Sequence, residues 1–165
     1  GGFLKSGKPA ILFEGHKFWK RLKAHGFDPQ SCRTGNEDIL YPEWTREHYI
    51  GGEGEYDRLE RASQIHLNAA LESASWGKFQ IMGFNWKPLG YTSIKDFVDR
   101  MNQNEREHLF AFLRYVRVNH LMNALRNHDW AEFAAGYNGK AYAENQYDIK
   151  LAKAYTKYSQ NGNGK

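Results

Sequence analysis

The chain has 165 residues, 41% of them apolar and 15% aromatic, which is enough for one compact, cored domain and excludes a disordered segment. Its formal charge of +4 is spread without any Lys/Arg run, so an anionic surface suits it as a partner, while nucleic-acid recognition is not expected. The single cysteine, Cys32, rules out an intramolecular disulfide, and no apolar run approaches the ~20 residues of a membrane helix, so membrane insertion is not expected either.

The opening Gly1-Gly2-Phe3-Leu4-Lys5 lacks the pattern of a secretory signal. After the turn residues Gly7-Lys8-Pro9, the apolar run Ala10 to Phe13 predicts a short strand or extended approach over 10–14. From His16 to His25 the residues Phe18, Trp19 and Leu22 recur at helical spacing, and Gly26 stops the helix. Glu14 therefore stands where an extended segment passes into a helix, beside the bulky Phe13. Desolvation there is expected to raise its pKa, the setting that glycosidases give the carboxyl that must donate a proton, although a surface charge near a helix start reads the same way.

Residues 27–54 are rich in Asp, Gly, Asn and Pro, with a possible strand or hairpin near Asp38-Ile39-Leu40-Tyr41. Loops this long in compact domains tend to carry function, so the segment is read as one lip of a cleft. Glu55 to about Ser73 reads as one long helix with Leu59, Ala62, Ile65 and Ala69 on its buried face. Glu55 and Asp57 in its first turn are lesser acid candidates, since a charge there is favoured by the helix dipole anyway.

Glu72 to Gly83 reads as a helical turn that puts Gly77 and Gln80 on one side, the glycine leaving room for a ligand and the glutamine offering an amide. Trp76, Phe79, Ile81 and Met82 are expected to wall that site. Downstream, Ser93 and Asn104 are predicted caps of two scaffold helices, a short helix lies near 120–127, and Asp129 caps a brief helix ending at Gly136-Tyr137-Asn138-Gly139. Tyr137 and Asn138 can project a hydroxyl and an amide into a neighbouring groove. A last helix over 144–159 and a polar tail over 160–165 complete the reading. No His-Glu-x-x-His pattern occurs and there is one cysteine, so no metal is expected; His16 is read as orienting Glu14 or as an ordinary helix residue.

Four stretches together carry a family resemblance: Lys8 to Phe18 (Lys-Pro-x-Ile-Leu-Phe-Glu-x-His-x-Phe), Gly54 to Leu59 (Gly-Glu-Tyr-x-Arg-Leu), Ser73 to Gly83 (Ser-Ala-Ser-Trp-Gly-x-Phe-Gln-Ile-Met-Gly), and Tyr137-Asn138-Gly139. The chain resembles the N-acetylmuramidase domain of modular phage endolysins, in the lysozyme-like superfamily. The resemblance implies a mainly α (α+β) fold with a small β element and a glycan-binding cleft. It also implies hydrolysis of the β-1,4 bond between N-acetylmuramic acid and N-acetylglucosamine in peptidoglycan, without cofactor. Residues 1–159 would form the catalytic domain, acting as a monomer on cell-wall glycan strands after synthesis in the bacterial cytoplasm. Glu14 would be an acidic group of the cleft, with Gly77, Gln80, Tyr137 and Asn138 holding sugar substituents.

The family pattern places a Val-Glu-Ser-Gly-Gly glutamate just upstream, and Gly1-Gly2-Phe3 looks like the tail of that motif, so this sequence is expected to begin just past it. Glu72-Ser73 is not taken as that pair, because it lies within the Gln80 segment. A non-catalytic peptidoglycan-binding module and a lytic transglycosylase are the alternatives.

Overall fold

The structure, a computed structural model, describes residues 1–138 together with Ala152 and Thr156. The expected last helix and tail lie outside these residues apart from Ala152 and Thr156, both helical. The chain divides into two compact units, Gly1–Phe112 and Leu113–Lys165.

The first unit is built on a three-stranded antiparallel sheet of β1 (Ile11–Phe13), β2 (Ala74–Trp76) and β3 (Ile81–Met82), with β2 in the middle. Ile11 pairs with Trp76 and Trp76 with Ile81, while Leu12 pairs with Ser75 and Ser75 with Met82. Because side chains alternate along a strand, this register puts Ile11, Phe13, Ala74, Trp76 and Ile81 on one face, all of them buried. The opposite face carries Leu12, Ser75 and Met82, of which Leu12 and Met82 are half-buried.

Helices close over the buried face. α1 (Gly15–Ala24) buries Phe18 and Leu22, and Phe18 meets Phe13 edge-on with centroids 5.6 Å apart. Each such fully buried side chain contributes about 1.5–3 kcal/mol of hydrophobic stabilisation. α2 (Gly54–Ile65) packs on β1, and α3 (Leu67–Glu72) packs on α1 and α2. α4 (Ile94–Met101) starts at the expected cap, the Asp96 N–H donating to Ser93 Oγ at 2.9 Å, and buries Phe97 and Met101. α5 (Glu105–Val118) likewise starts at Asn104, which accepts from the Glu107 N–H at 3.0 Å; the unit boundary falls within this helix. In the second unit, α6 (Met122–Arg126) packs on α7 (Trp130–Asn138), whose Glu132 N–H donates to Asp129 Oδ1 at 3.1 Å.

Three expectations about local structure are corrected. Asp38 to Tyr41 forms no strand; the segment is a turn whose Ile39, Leu40 and Tyr41 side chains go into the core, so burial rather than pairing explains its apolar content. The long helix over 55–73 is two helices, because His66 is extended (φ −159°, ψ 107°) and its Nδ1 accepts the Ala69 N–H at 3.0 Å, capping α3. The Gly77–Gln80 segment is the turn of a β-hairpin rather than a helical turn, since Gly77 (φ +75°) and Gln80 (φ +51°) both occupy the left-handed region.

The His66 cap makes stability depend on pH. Its Nδ1 can accept only while unprotonated, and burial, followed by repulsion from His25, holds its pKa below the ordinary value. A lowered folded-state value means that the contribution is present above the unfolded value of about 6.5 and is lost as pH falls through the folded one. Thermal melts between pH 7.5 and 5 are expected to show a falling midpoint, and His66→Asn, which caps without titrating, is expected to flatten that slope.

Candidate active site

Glu14 follows β1 and stands at the N-cap of α1. Its N–H donates to the Ser73 carbonyl at 3.0 Å, and its own carbonyl accepts from the Lys17 and Phe18 N–H groups. The backbone is still extended there (φ −107°, ψ 98°), so strand alternation puts its side chain on the Leu12–Ser75–Met82 side of the sheet. The sheet's other face makes the core, and on this one Leu12, Glu14 and Met82 are half-buried.

The Tyr49 hydroxyl donates to Glu14 Oε2 at 2.5 Å and in turn accepts the Trp44 indole N–H at 3.2 Å. Burial first, and the neighbouring Glu14 carboxylate second, raise the Tyr49 pKa well above the usual phenol range, so the phenol stays a proton-bearing donor. Glu14 Oε1 has no hydrogen bond among the described residues. The carboxylate is thus oriented through one oxygen, on a side chain that is 15% exposed. His16 Nδ1 lies 3.3 Å from Oε2 but lacks hydrogen-bond geometry, and an ion pair forms there only when the ring is protonated.

Glu55 and Arg58 hold both halves of this arrangement. Glu55 Oε1 accepts the Phe13 N–H at 2.9 Å, and its Oε2 accepts the Ile50 and Gly51 N–H groups at 2.8 and 3.1 Å. Arg58 donates to the Phe13 carbonyl at 2.7 Å, to Glu55 at 2.9 Å and to the Asp38 carbonyl at 3.0 Å. Both side chains are essentially inaccessible to solvent. Phe13 precedes Glu14 and Ile50 follows Tyr49, so one buried pair fixes the backbone beside each partner of the Tyr49–Glu14 bond. Burial alone would raise the Glu55 pKa, but the three backbone donors and Arg58 outweigh it and hold it below the usual carboxylate range. Glu55, a lesser acid candidate on sequence, is therefore placed as a structural strut. Asp57 is exposed in the first turn of α2.

The hairpin turn lies at the Ala10 end of β1, away from Glu14, and is linked toward it on the same sheet face only through Ser75. Ser75, opposite Leu12, is one diagonal step from Glu14, a spacing of about 7–8 Å in a regular sheet. Its hydroxyl donates to Gln80 Oε1 at 2.7 Å, and Gln80 Nε2 donates to the Gly77 and Ala10 carbonyls at 2.9 and 3.2 Å. The amide thereby laces the turn to β1 while the residue stays exposed. A glutamine in the left-handed region costs of order 1–3 kcal/mol, and this lacing offsets it.

The room at Gly77 is used by the protein itself, contrary to the ligand space expected there. A Cβ would lie 2.7 Å from the ring of His108, which is buried, accepts the Lys78 N–H through Nδ1 at 3.0 Å, and binds the Met101 carbonyl through Nε2 at 2.7 Å. Gly77→Ala is expected to lower stability by about 2 kcal/mol or more, from positive φ and overpacking together, read as a lower thermal midpoint.

The N-acetylmuramidase family matches this chain over residues 1–159. The chain belongs to the N-acetylmuramidase family. The crystal structure of the Burkholderia AP3 phage endolysin superposes with a TM-score of 0.86 at 47% identity, covering 96% of this chain. The chain spans 60% of that endolysin's length. Comparison with curated proteins gives no match.

In this muramidase-family chain Tyr137 lies in α7, stacked on Phe133 at 5.8 Å and edge-on to Tyr115 at 5.5 Å, all within the second unit. Asn138 is the last residue of α7, and its side chain is outside what the structure describes. Phe79 stacks on Phe112 at 4.5 Å, and Trp76 is core, so of the expected site walls only Phe79 and Met82 keep partial exposure. Glu72 is buried and accepts from Arg21, His25 and Trp86. Tyr49, Trp44 and His108 were not found by motif reading, and Ser75 lay within a quoted motif without being given a role; the signal for the first two was only their place in the long loop of 27–54.

Proposed function

We propose that this chain is a peptidoglycan hydrolase that cleaves the β-1,4 bond between N-acetylmuramic acid and N-acetylglucosamine, with residues 1–159 acting as one monomeric catalytic domain. Membership of the N-acetylmuramidase family and likeness to a phage endolysin support peptidoglycan as the substrate. The observation that carries the reading is the Glu14 carboxylate, held at Oε2 by the Tyr49 hydroxyl and without a hydrogen bond at Oε1 among the described residues. With Oε2 held by Tyr49, Oε1 is the oxygen assigned to taking a proton from attacking water or to facing the cationic sugar of the transition state.

Gln80 and the hairpin turn are assigned to positioning the glycan, and Tyr137 and Asn138 to its N-acetyl and ring substituents. Gly77 serves indirectly, by letting His108 hold the turn. Glycoside hydrolysis of this kind consumes water alone. The chain would act on the bacterial cell wall after synthesis in the cytoplasm.

The test is digestion of purified sacculi, borohydride reduction and mass spectrometry of the products. A muramidase leaves reducible muramic acid ends. A lytic transglycosylase leaves anhydromuramic ends, a glucosaminidase leaves glucosamine ends, and a pure binding module releases nothing; any of these three outcomes would remove the proposal.

A further inference from the structure

The long loop holds an exposed aromatic that the proposed mechanism does not use. Trp44 is 55% exposed, yet its ring is not loose, because the indole N–H is committed to the Tyr49 hydroxyl at 3.2 Å. Tyr49 is itself half-buried and tied to Glu14, so the indole is anchored one hydrogen bond away from the group that orients the candidate catalytic carboxylate. The guanidinium of Arg46 sits over the Trp44 ring, 5.5 Å from its centroid. Arg46 is exposed, and although Glu43 and Glu47 flank it in sequence it makes no ion pair among the described residues. Loop 42–49 thus presents an anchored aromatic plate with a planar cation against it that has no carboxylate partner among the described residues.

That pairing has a definite chemical complement. Sugar rings present apolar C–H faces that stack on indole, while a guanidinium takes a carboxylate through two parallel N–H donors. We propose that Trp44 and Arg46 form a binding subsite for a sugar ring that carries a carboxylate on one of its substituents. The proposal rests on reading the Glu14 face as the glycan site, since Tyr49 ties the plate to that face. In peptidoglycan the carboxylate comes either from the lactyl group of stem-free muramic acid or from the peptide stem attached to it, and the two sources are separable by the probe.

The experiment is isothermal titration of the full chain with three probes: a stem-free glycan tetrasaccharide with free lactyl carboxylates, the same glycan bearing its peptide stems, and neutral chitotetraose. Trp44→Ala is expected to weaken binding of all three roughly tenfold, while Trp44→Phe, which keeps a ring but loses the N–H held by Tyr49, is expected to weaken it less. Arg46→Ala is expected to weaken only the probe that supplies the carboxylate, again roughly tenfold, and to leave chitotetraose unchanged. Loss confined to the stem-free glycan identifies the lactyl source; loss confined to the stem-bearing glycan identifies the peptide.

Thermal melts within about 2 °C of wild type for each variant exclude unfolding as the cause, as expected for exposed positions. Wild-type affinity in Trp44→Ala, equal weakening of charged and neutral probes in Arg46→Ala, or no binding of any probe by the wild-type chain would overturn the subsite. These readouts need no turnover. A chain that binds as described yet releases no sugar would therefore sink the hydrolase reading and leave the subsite standing.

Discussion

Glu14→Gln is expected to slow lysis of purified sacculi by roughly 10²–10⁴-fold, the range for losing a positioned general base, with the thermal midpoint held within about 2 °C. The substitution keeps size and leaves an oxygen to accept from Tyr49, so the loop anchored through that phenol stays in place. What disappears is the charge that can accept a proton from water or oppose a developing sugar cation. Initial clearing rate against enzyme concentration, beside a melt of the same preparation, gives both numbers. Near-normal clearing by a folded variant takes Glu14 out of the mechanism.

The second large effect is on folding. Arg58→Met removes a buried cation that ties together the Phe13 carbonyl, the Asp38 carbonyl and Glu55, leaving the Glu55 carboxylate in a solvent-free position without its counter-charge. Breaking one partner of such a pair costs about 3–5 kcal/mol, which in a domain of this size lowers the melting midpoint by roughly 10–20 °C. Combining it with Glu55→Gln is expected to cost less than the sum of the two, because both report on one network. Losses that simply add would mean that the residues act independently. Activity should fall alongside stability, since the strut holds the backbone beside both Glu14 and Tyr49.

How far the sequence revealed this arrangement depends on the kind of signal. Helix limits set by local chemistry were legible: Gly26 ends α1, and Ser93, Asn104 and Asp129 cap their helices as their side chains predict. Elements fixed by tertiary context were not. Ser73 to Met82 carries the small and apolar residues of either a buried helix or a strand, and only pairing of Ala74–Trp76 with Ile11–Phe13, some sixty residues away, decides for the hairpin. The break at His66 was hidden because a histidine cap depends on its ring reaching Ala69, which composition does not encode.

The candidate site shows the same division. Glu14 was visible as a carboxylate at a strand-to-helix passage, and Gln80 as part of a motif. Tyr49 was not, since its role comes from a contact across 35 residues of sequence inside an irregular loop. Glu55, read as a first-turn charge favoured by the helix dipole or a lesser acid, is drawn fully inside by three backbone N–H groups and Arg58. Gly77 was read as space for a ligand, whereas His108 fills that space. Buried polar hubs are determined by where distant backbone groups end up, and periodicity carries no trace of that.

The most direct measurement is digestion of purified sacculi in ¹⁸O-labelled water by the wild-type chain and Glu14→Gln in parallel, with mass spectrometry of the released muropeptides. The wild type should place one labelled oxygen on the reducing carbon of muramic acid, and Glu14→Gln should still sediment with sacculi while releasing almost no labelled product. Labelled product formed by Glu14→Gln at the wild-type rate, or wild-type products carrying no label, would contradict the account.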